Sequence, residues 1–249
     1  MSLASVVIPS YNCAAFLPHA VKSAQDQTIH DIEIIIVEDA STDTTKDYLA
    51  WLEKQGDKRI KIIWNETNKG RSESRNIGNK AANSPVILVL DADDLMINQR
   101  VEWTLKKMRK CQVCYGSVLL MDGIGVKNRE IAAGPLDRDE LLKPIDITEW
   151  KKAVDNGGEF SLHENNITHS SMAYTKEIAM KYPYSGDRLS DMGLDDWEMQ
   201  IRMLRDNVTF GFIPDVICAY RVHDSAVTKT RDIMGVIELK SEILAGVCK

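Results

Sequence analysis

The chain has 249 residues, of which 44% are hydrophobic and 27% are charged, and its formal net charge is −6. This acidic balance argues against a nucleic-acid-binding protein, because such proteins usually carry a basic excess. No run approaches the roughly 20 apolar residues that span a bilayer, and the N-terminal Met-Ser-Leu-Ala lacks the basic-then-apolar layout of a signal peptide. We therefore expect a globular protein with no nucleic-acid partner and no transmembrane segment.

Short apolar runs alternate with amphipathic stretches over the first hundred residues. The runs are rich in β-branched residues and bounded by turn residues, as strands buried on both faces are. This alternation predicts an α/β fold with a mainly parallel, right-handed sheet, in which ligands bind beyond the carboxyl ends of the strands. The predicted strands are Val6–Ile8, Ile32–Val37, Ile60–Trp64 and Val86–Leu90, and the predicted helices are 14–26, 43–55 and 71–82.

The pattern loosens past residue 110, although we see no linker and expect a single domain. Residues 122–166 hold much Gly, Asp and Asn and predict loops. His163 and His169 fall in or near this stretch, where they could line a binding pocket, but satisfied loop positions are favoured. The remaining predicted elements are a strand over Val113–Met121, helices near 137–143, over 196–206 and over 232–247, and a strand pair over Phe210–Tyr220 turned at Pro214-Asp215.

The cysteines are few, odd in number and scattered, which is typical of free thiols in a reducing compartment. Together with the acidic composition this predicts a cytoplasmic protein, and it leaves open contact with the inner face of a membrane. Cys111 and Cys114 form a lone C-x-x-C in an apolar run, so core packing is favoured over zinc or redox chemistry. The cysteines are Cys13, Cys111, Cys114, Cys218 and Cys248.

Three acidic residues, Asp91, Asp93 and Asp94, directly follow the fourth predicted strand. One of them can cap the next helix, but capping does not explain all three. Packed carboxylates repel and raise one another's pKa unless a cation lies among them. In an extended chain Asp91 and Asp93 point the same way, about 7 Å apart. A divalent ion that also binds substrate phosphates is therefore favoured.

Asp39 and two arginines are further candidates at the same edge of the sheet. Asp39 either caps the helix that begins near Asp43 or accepts hydrogen bonds from a base or ribose. Arg71 and Arg75 share a helix face because they are four residues apart. They either form surface salt bridges or neutralise a diphosphate, and the second role is more strongly indicated for Arg71.

Four polar motifs follow the predicted strands in order along residues 5–94. They are Val7-Ile8-Pro9-Ser10-Tyr11-Asn12, Val37-Glu38-Asp39-Ala40-Ser41-Thr42-Asp43, Asn68-Lys69-Gly70 with Arg75-Asn76-Ile77-Gly78, and Leu90-Asp91-Ala92-Asp93-Asp94. Two later segments are Gly193-Leu194-Asp195-Asp196-Trp197 and Tyr220-Arg221-Val222-His223-Asp224-Ser225. Together, the motifs resemble the ordered set of family 2 glycosyltransferases with the GT-A fold. The stretch 122–190 matches only vaguely.

The resemblance implies a domain organisation and a set of site residues. One GT-A catalytic domain would cover 1–222, with a nucleotide-sugar half over 1–94 and an acceptor half over 95–222, followed by a C-terminal helical tail over 223–249. The implied nucleotide-binding residues are Pro9, Tyr11, Asn12, Asp39, Arg71 and Asp91. The implied ligands of Mn²⁺ or Mg²⁺ are Asp93, Asp91 and His223. Asp196 resembles the catalytic base, and Asp195 stands where the family more often has Glu, so either carboxylate could face the acceptor.

The implied reaction moves a sugar from a nucleotide diphosphate, usually of uridine, to an acceptor hydroxyl with inversion. The expected partners are a nucleotide-diphospho-sugar donor and a carbohydrate or lipid-linked glycan acceptor, and the oligomeric state is left open. A nucleotidyltransferase is a competing expectation, although Pro9-Ser10-Tyr11-Asn12 lacks the glycine-rich, basic phosphate loop typical of those enzymes. A non-catalytic sugar-nucleotide or glycan-binding module is a third, but such a module would be expected to lose the base or the metal carboxylates.

Overall fold

The hydrophobic runs near the N-terminus form four parallel strands on one side of a mixed sheet. The structure is a computed structural model that describes residues 2–122, 126–131, 134–145, 147–148, 167–186, 188–223 and 233–246. The first strands are β1 (Ala4–Ser10), β2 (Ile32–Glu38), β3 (Ile60–Trp64) and β4 (Val86–Val89). β1 pairs with β2 and β4, and β2 pairs with β3, all in parallel. Their carboxyl ends therefore meet at one edge, as the sequence predicts.

Three helices, α1 (Leu17–Gln25), α2 (Thr45–Lys54) and α3 (Arg71–Ala81), follow the first three strands. β1 is buried on both faces, since Val6 belongs to one hydrophobic cluster and Val7 to the other. α3 lies so close to β1 that a Cβ at Gly78 would overlap Val7 Cγ1 and lie 3.3 Å from Val37 Cγ2. Glycine at position 78 therefore allows α3 to approach the sheet closely.

The second half of the chain adds strands of both directions. The elements are β5 (Leu95–Met96), α4 (Arg100–Lys107), β6 (Val113–Met121), β7 (Val126–Ile131), α5 (Arg138–Leu141), a 3₁₀ turn (His169–Ser171), β8 (Ala173–Thr175), α6 (Lys176–Lys181), α7 (Arg188–Asp191), α8 (Asp195–Arg205), β9 (Phe210–Arg221) and α9 (Ile233–Ala245). In the described part of the chain the strand order is β3-β2-β1-β4-β8-β6-β9-β5, with β7 paired to β6. β8 is antiparallel to β4 and β6, whereas β6 and β9 are parallel.

The expected strand pair over Phe210–Tyr220 is wrong, because β9 is one continuous strand. Its register against β6 shifts where Gly116 faces Ile213 and the next residue, Ser117, faces Val216. Pro214 and Asp215 are therefore left out of the ladder as a bulge, and the Ser117 hydroxyl donates to the Pro214 carbonyl at 3.1 Å. Proline cannot donate to a ladder, so a bulge accommodates it without ending the strand.

The helix at the end of the described chain, α9, packs on α8. Val236 and Leu239 of α9 share a hydrophobic cluster with Trp197 and Ile201 of α8. The Lys240 ammonium lies 4.8 Å from the centre of the Trp197 ring. No helix in the described ranges is long and apolar enough to cross a bilayer.

The C-x-x-C cysteines belong to the core, as the sequence analysis favours. Cys114 is fully buried in a hydrophobic cluster, and Cys111 packs at the margin of the same cluster. Both are free thiols. Cys248 and His163 lie outside the described residues.

Candidate active site

The loops after β1 and β2 are tied together at the carboxyl edge of the sheet. Asn12 has a left-handed backbone conformation, with φ 50, which asparagine tolerates better than most residues. Its side-chain oxygen accepts the Thr42 N–H at 2.8 Å, and its own N–H donates to the Ser41 hydroxyl at 2.9 Å. Tyr11 beside it is 45% exposed. Asn12 thus fixes the loop, and Tyr11 remains accessible to a ligand.

Asp39 is buried behind this loop and does not cap α2. Its carboxylate accepts the N–H groups of Lys69 and Gly70, both at 2.9 Å, and the Asn65 side-chain amide at 2.8 Å. These bonds hold the segment from which α3 begins. Pro9 lies opposite Val37 in the adjacent pair of strands. Asp39 and Pro9 therefore both lie at the carboxyl end of the parallel strands, where the resemblance places a nucleotide base.

Arg75 links the two halves of the site through a bridge between two carboxylates. Its Nη2 lies 2.8 Å from Asp91 Oδ1, and its Nη1 lies 2.6 Å from Asp195 Oδ2. The guanidinium is 3% exposed and lies 5.3 Å from the centre of the Tyr184 ring. Burial lowers the pKa of Arg75, but the charges of Asp91 and Asp195 outweigh that effect and raise it. Arg75 therefore forms ion pairs, as one of the two expectations has it, but these pairs are buried and do not lie on the surface.

Asp91 is held through both of its carboxylate oxygens. Oδ1 accepts from Arg75, and Oδ2 lies 3.1 Å from His169 Nδ1. The Asp91 N–H donates to the Ser170 hydroxyl at 3.0 Å. Burial alone would raise the pKa of Asp91, but Arg75 and His169 hold it well below its usual range. Asp91 is therefore an anion whose side chain is fixed from two sides.

Asp93 and His223 lie together, 130 residues apart in the chain, with Asp93 Oδ2 2.9 Å from His223 Nε2. The His223 ring lies 5.0 Å from that of Phe16. Arg221 donates from Nε to the Asp93 carbonyl at 2.8 Å and places its guanidinium 4.9 Å from the Phe16 ring. Asp93 remains 29% exposed and His223 16% exposed. This pair can therefore be reached from the site.

Asp94, the third carboxylate of the cluster, faces the interior. It is fully buried, and its Oδ1 accepts the Arg221 N–H at 2.8 Å. Burial raises the pKa of Asp94 well above its usual value, and the charges of Asp93 and Asp91 raise it further. Asp94 therefore anchors β9 beside the site, which explains one of the three acidic residues without either a cap or a metal.

The site offers part of a divalent-cation shell. Carboxylate oxygen and imidazole nitrogen suit Mn²⁺, and phosphate oxygens commonly complete such shells. Asp93 and His223 fit this chemistry because they are adjacent and partly exposed. Across the described residues no group of three or more His, Cys, Asp or Glu side chains is arranged as a metal site. Asp91 is held instead by Arg75 and His169.

Asp195 and Asp196 begin α8 but have different surroundings. Asp195 is 1% exposed and accepts the Ser72 hydroxyl at 2.8 Å and Arg75 Nη1 at 2.6 Å. Burial opposes its ionisation, but the charges of Arg75 and Arg71 outweigh this and lower the pKa of Asp195. Asp195 is thus a fixed structural anion.

Asp196 is half-buried, and burial raises its pKa above the ordinary value for aspartate. The charge of His169 offsets this effect only in part, and Asp195 adds to it. A carboxylate with a raised pKa is a stronger base than one whose pKa two arginines lower. Asp196 is therefore the better of the two candidates for a general base.

Arg71, at the first position of α3, reaches across to the segment before α8. Its Nη2 donates to the Ser190 carbonyl and lies 3.7 Å from Asp195 Oδ1. The side chain is 30% exposed, so one side remains open to the site. Arg71 thus lies between the end of α7 and the edge where a diphosphate is expected.

Three side chains of the site have no clear signal in the sequence. His169 is 7% exposed against Asp91, although its position favours a loop residue, and Tyr184 contacts it from the segment between α6 and α7. Ser72 lies three residues before Arg75, so the two share a helix face and both bind Asp195. Partners 78 and 123 residues apart in the chain cannot be paired from local pattern alone.

Comparison with known proteins identifies relatives of this chain. The profile of Glycosyl transferase family 2 matches residues 5–132. An uncharacterized glycosyltransferase of Haemophilus influenzae is 34% identical over 192 residues, covering 74% of this chain and 76% of that protein. An uncharacterized glycosyltransferase of Nostoc is 43% identical over 91 residues, covering 36% of this chain and only 28% of the relative. The Escherichia coli protein WfgD, a UDP-Glc:α-D-GlcNAc-diphosphoundecaprenol β-1,3-glucosyltransferase, is 29% identical over 147 residues, covering 58% of this chain and 57% of that protein.

Solved structures share the fold. S. aureus TarS 1–349 in complex with UDP-GlcNAc superposes with a TM-score of 0.65 at 15% identity, covering 98% of this chain and 71% of that one. The mannosyltransferase PcManGT of Pyrobaculum calidifontis, in complex with GDP-Man and Mn²⁺, gives a TM-score of 0.61 at 15% identity, covering 96% of this chain and 69% of that one. At this identity the likeness concerns the fold alone.

Proposed function

Because this chain belongs to glycosyl transferase family 2, we propose that it is an inverting, metal-dependent glycosyltransferase that uses a UDP-sugar. The proposed acceptor is a hydroxyl of a carbohydrate or lipid-linked glycan, and the proposed process is polysaccharide or glycan synthesis. Two named proteins support these choices. TarS, which has the same fold, is seen with UDP-GlcNAc, and the relative WfgD is named for transfer from UDP-Glc to an undecaprenol-linked sugar.

The observation that carries the proposal is the double ion pair of Arg75. It joins Asp91, at the end of β4, to Asp195, at the start of α8. One buried guanidinium thus fixes the carboxylate next to the proposed donor position and the helix turn that carries Asp196. A displacement in a single step requires the donor and the base to be held in fixed positions relative to each other. The double ion pair of Arg75 provides such a connection.

In the proposed reaction Asp196 removes the proton from the acceptor hydroxyl as its oxygen attacks the anomeric carbon of the donor sugar. The bond from that carbon to the diphosphate breaks on the opposite side, so the configuration inverts. The leaving diphosphate gains negative charge, which the guanidinium of Arg71 can neutralise at the N-terminus of α3. Pro9, Tyr11, Asn12, Asp39 and Asp91 are the proposed contacts of the nucleoside.

The proposed Mn²⁺ or Mg²⁺ would be held by Asp93 and His223, with Asp91 beside them. When bound, such an ion neutralises the diphosphate and makes it a better leaving group. The chain's own contribution is to keep Asp93 and His223 adjacent, which the contacts of Phe16 and Arg221 ensure. We further propose that the protein works in the cytoplasm at the inner face of a membrane, and the undecaprenol-linked acceptor in the name of WfgD supports an acceptor near a membrane.

The test is a screen of UDP- and GDP-sugars with and without Mn²⁺, read as thermal shift and as release of free nucleotide. A ligand that binds only the folded state raises apparent stability by mass action. We expect stabilisation by UDP with Mn²⁺ and slow hydrolysis of one UDP-sugar. Asp196→Asn should lower that turnover by about 10²–10⁴ and keep the thermal shift, while Asp191→Asn, at an exposed position of α7, should change neither. Failure of every nucleotide to stabilise the protein would contradict the proposal.

A further inference from the structure

We propose that His169 and Tyr184 act as a pair of positioning residues that hold the carboxylate of Asp91 in place for donor binding. This inference rests on the proposed function, because it concerns the same donor site. It adds residues from the second half of the chain to a site whose recognisable motifs lie mostly in the first.

The first observation is a continuous line of hydrogen-bonded side chains that ends on Asp91. His169 Nδ1 lies 3.1 Å from Asp91 Oδ2, and His169 Nε2 lies 2.9 Å from the Tyr184 hydroxyl. That hydroxyl lies 3.1 Å from the hydroxyl of Tyr174, which in turn lies 3.0 Å from the Asn79 amide nitrogen. The line therefore runs from Asn79 in α3, through Tyr174 in β8, Tyr184 before α7 and His169 in the 3₁₀ turn, to Asp91 after β4.

The donors and acceptors along this line can all point one way. The Tyr174 hydroxyl lies within hydrogen-bond distance of both side-chain atoms of Asn79, at 3.0 Å from Nδ2 and 3.2 Å from Oδ1. When it accepts from Nδ2 it can donate to Tyr184, and the Tyr184 hydroxyl can then donate to His169 Nε2. His169 donates from Nδ1 to Asp91 both in this tautomer and when the ring is doubly protonated, because an ionised carboxylate only accepts. Each bond polarises the next, so the line strengthens the last bond, the one to Asp91.

The second observation is where these polar groups lie. His169 is 7% exposed, Tyr184 3%, Asn79 1% and Tyr174 not at all. Tyr174 and Tyr184 both belong to a hydrophobic cluster of the core. Phenylalanine would fill nearly the same space there without needing hydrogen-bond partners. Packing therefore explains why both positions are aromatic. The two hydroxyls are explained by the hydrogen bond between Tyr184 and His169 Nε2, which they support.

The third observation is that Asp91 is held from its other side as well. Arg75 binds Oδ1 at 2.8 Å while His169 binds Oδ2, so the carboxylate cannot rotate without losing one partner. The Asp91 side chain is still 24% exposed. Because both oxygens are held, its exposed part keeps one orientation toward a bound nucleotide sugar. Without the bond from His169, Arg75 alone would leave the plane of the carboxylate free to turn.

Tyr184→Phe and Tyr182→Phe form a matched test. Both tyrosines are 3% exposed, and each hydroxyl has a side-chain partner, but that of Tyr182 bonds Asp206, away from the site. Each protein is measured for binding of UDP with Mn²⁺ by calorimetry, for donor KM and kcat of UDP-sugar hydrolysis, and for thermal unfolding. We expect Tyr184→Phe to raise the UDP Kd and the donor KM by about three- to tenfold, the size of one lost hydrogen bond, with a smaller change in kcat. Tyr182→Phe should leave Kd, KM and kcat unchanged.

Variants of His169 separate positioning from packing. His169→Asn places an amide N–H close to where Nδ1 donates. His169→Leu supplies a side chain of similar size that has no hydrogen-bond donor. We expect the donor KM of His169→Asn to lie between those of the wild type and His169→Leu. A purely structural role predicts instead that both variants lower the melting temperature and the active fraction while KM stays at the wild-type value.

Failure of the proposed function and failure of the positioning role give different results. If the wild type neither binds UDP with Mn²⁺ nor hydrolyses any nucleotide sugar, the proposed function fails. If the wild type does both, and Tyr184→Phe and His169→Leu keep its Kd and KM, the positioning role is refuted while the proposed function stands.

Discussion

Asp195 and Arg75 form an ion pair that is buried on both sides, with 2.6 Å between Oδ2 and Nη1 and exposed side-chain fractions of 2% and 3%. It connects the first turn of α8 to the middle of α3, 120 residues earlier in the chain. A buried charge without its partner is strongly destabilising. The pair therefore gives Asp195 a structural role and leaves the chemical role to its neighbour.

Asp195→Ala should lower the free energy of unfolding by about 3–5 kcal/mol, because it leaves the Arg75 guanidinium buried with one carboxylate instead of two. Urea unfolding followed by far-UV circular dichroism measures this loss. Asp191→Ala, at an exposed position of α7, is the control and should unfold like the wild type. An Asp195→Ala protein of wild-type stability would mean that the ion pair is not formed in solution.

Asp196→Asn should not lower the urea midpoint, because a raised pKa means that the ionised carboxylate does not stabilise the fold. It should lower kcat for transfer by about 10²–10⁴, the usual contribution of a general base. The UDP Kd should not change, because Asp196 acts on the acceptor. Calorimetry and product analysis with the identified acceptor measure the two quantities. Unchanged transfer by Asp196→Asn would exclude it as the base.

The pH dependence of kcat/KM should reveal the same group. Asp196 must be ionised to accept a proton, and burial raises its pKa, so activity should be lost on acidification at a higher pH than for an exposed aspartate, whose pKa is about 4. We expect log kcat/KM to rise with pH through the raised pKa and then level off. The residual activity of Asp196→Asn should lack this acid limb. Wild-type activity that stays constant down to about pH 4 would contradict the assignment.

Much of this arrangement could be predicted because it is local. The strands over Ile32–Val37 and Ile60–Trp64 are apolar runs with turn residues on each side, and the structure reproduces them to within one residue. The motifs after the strands meet because parallel strands end on one side. The family resemblance is confirmed by the comparisons.

What could not be predicted depends on contacts between distant segments. β8 has only three residues, Ala173–Thr175, and no periodicity distinguishes so short a strand from a loop. Yet it lies between β4 and β6, where it sets the position of His169. The burial of Asp94 and Asp195 depends likewise on β9 and α3, which the sequence places far away. Tertiary packing, and not local propensity, decides these positions.

Asp93→Asn should reduce the stabilisation that Mn²⁺ gives together with UDP, since Asp93 and His223 are the proposed ligands. For the wild type at 100 times Kd, bound ligand adds about 2.7 kcal/mol to apparent stability. Differential scanning fluorimetry with UDP, Mn²⁺ or both separates nucleotide from metal effects. Asp191→Asn should behave like the wild type, and an Asp93→Asn protein with the full metal-dependent shift would refute the assignment.

Asp57 offers a stability prediction far from the site. Arg59 grips its carboxylate through two nitrogens at 2.8 and 3.0 Å, and Gln25 donates at 2.9 Å. Hydrogen bonds from Arg59 lower the pKa of Asp57 below its ordinary value, so its stabilisation is present above the unfolded-state pKa and lost as pH falls below about 4. Asp57→Asn should cost about 1–2 kcal/mol at pH 7.

Urea midpoints of Asp57→Asn and the wild type, measured from pH 7 downward, test this dependence. The gap between them should narrow as the solution becomes more acidic. Asp26→Asn removes an exposed pair with Lys22 and should cost almost nothing at any pH. A gap that stays constant with pH would show that the charge of Asp57 is not what stabilises the fold.

The close contact between Gly78 of α3 and Val7 of β1 limits how the specificity of this protein can be engineered. Even one added methyl group would push the helix outward and carry Arg71 and Arg75 with it. The positions of these two arginines at the proposed donor site therefore depend on glycine at position 78. Mutant libraries aimed at new sugars should leave residues 71–81 untouched. They should vary exposed residues outside α3, where a change of shape need not disturb the position of either guanidinium.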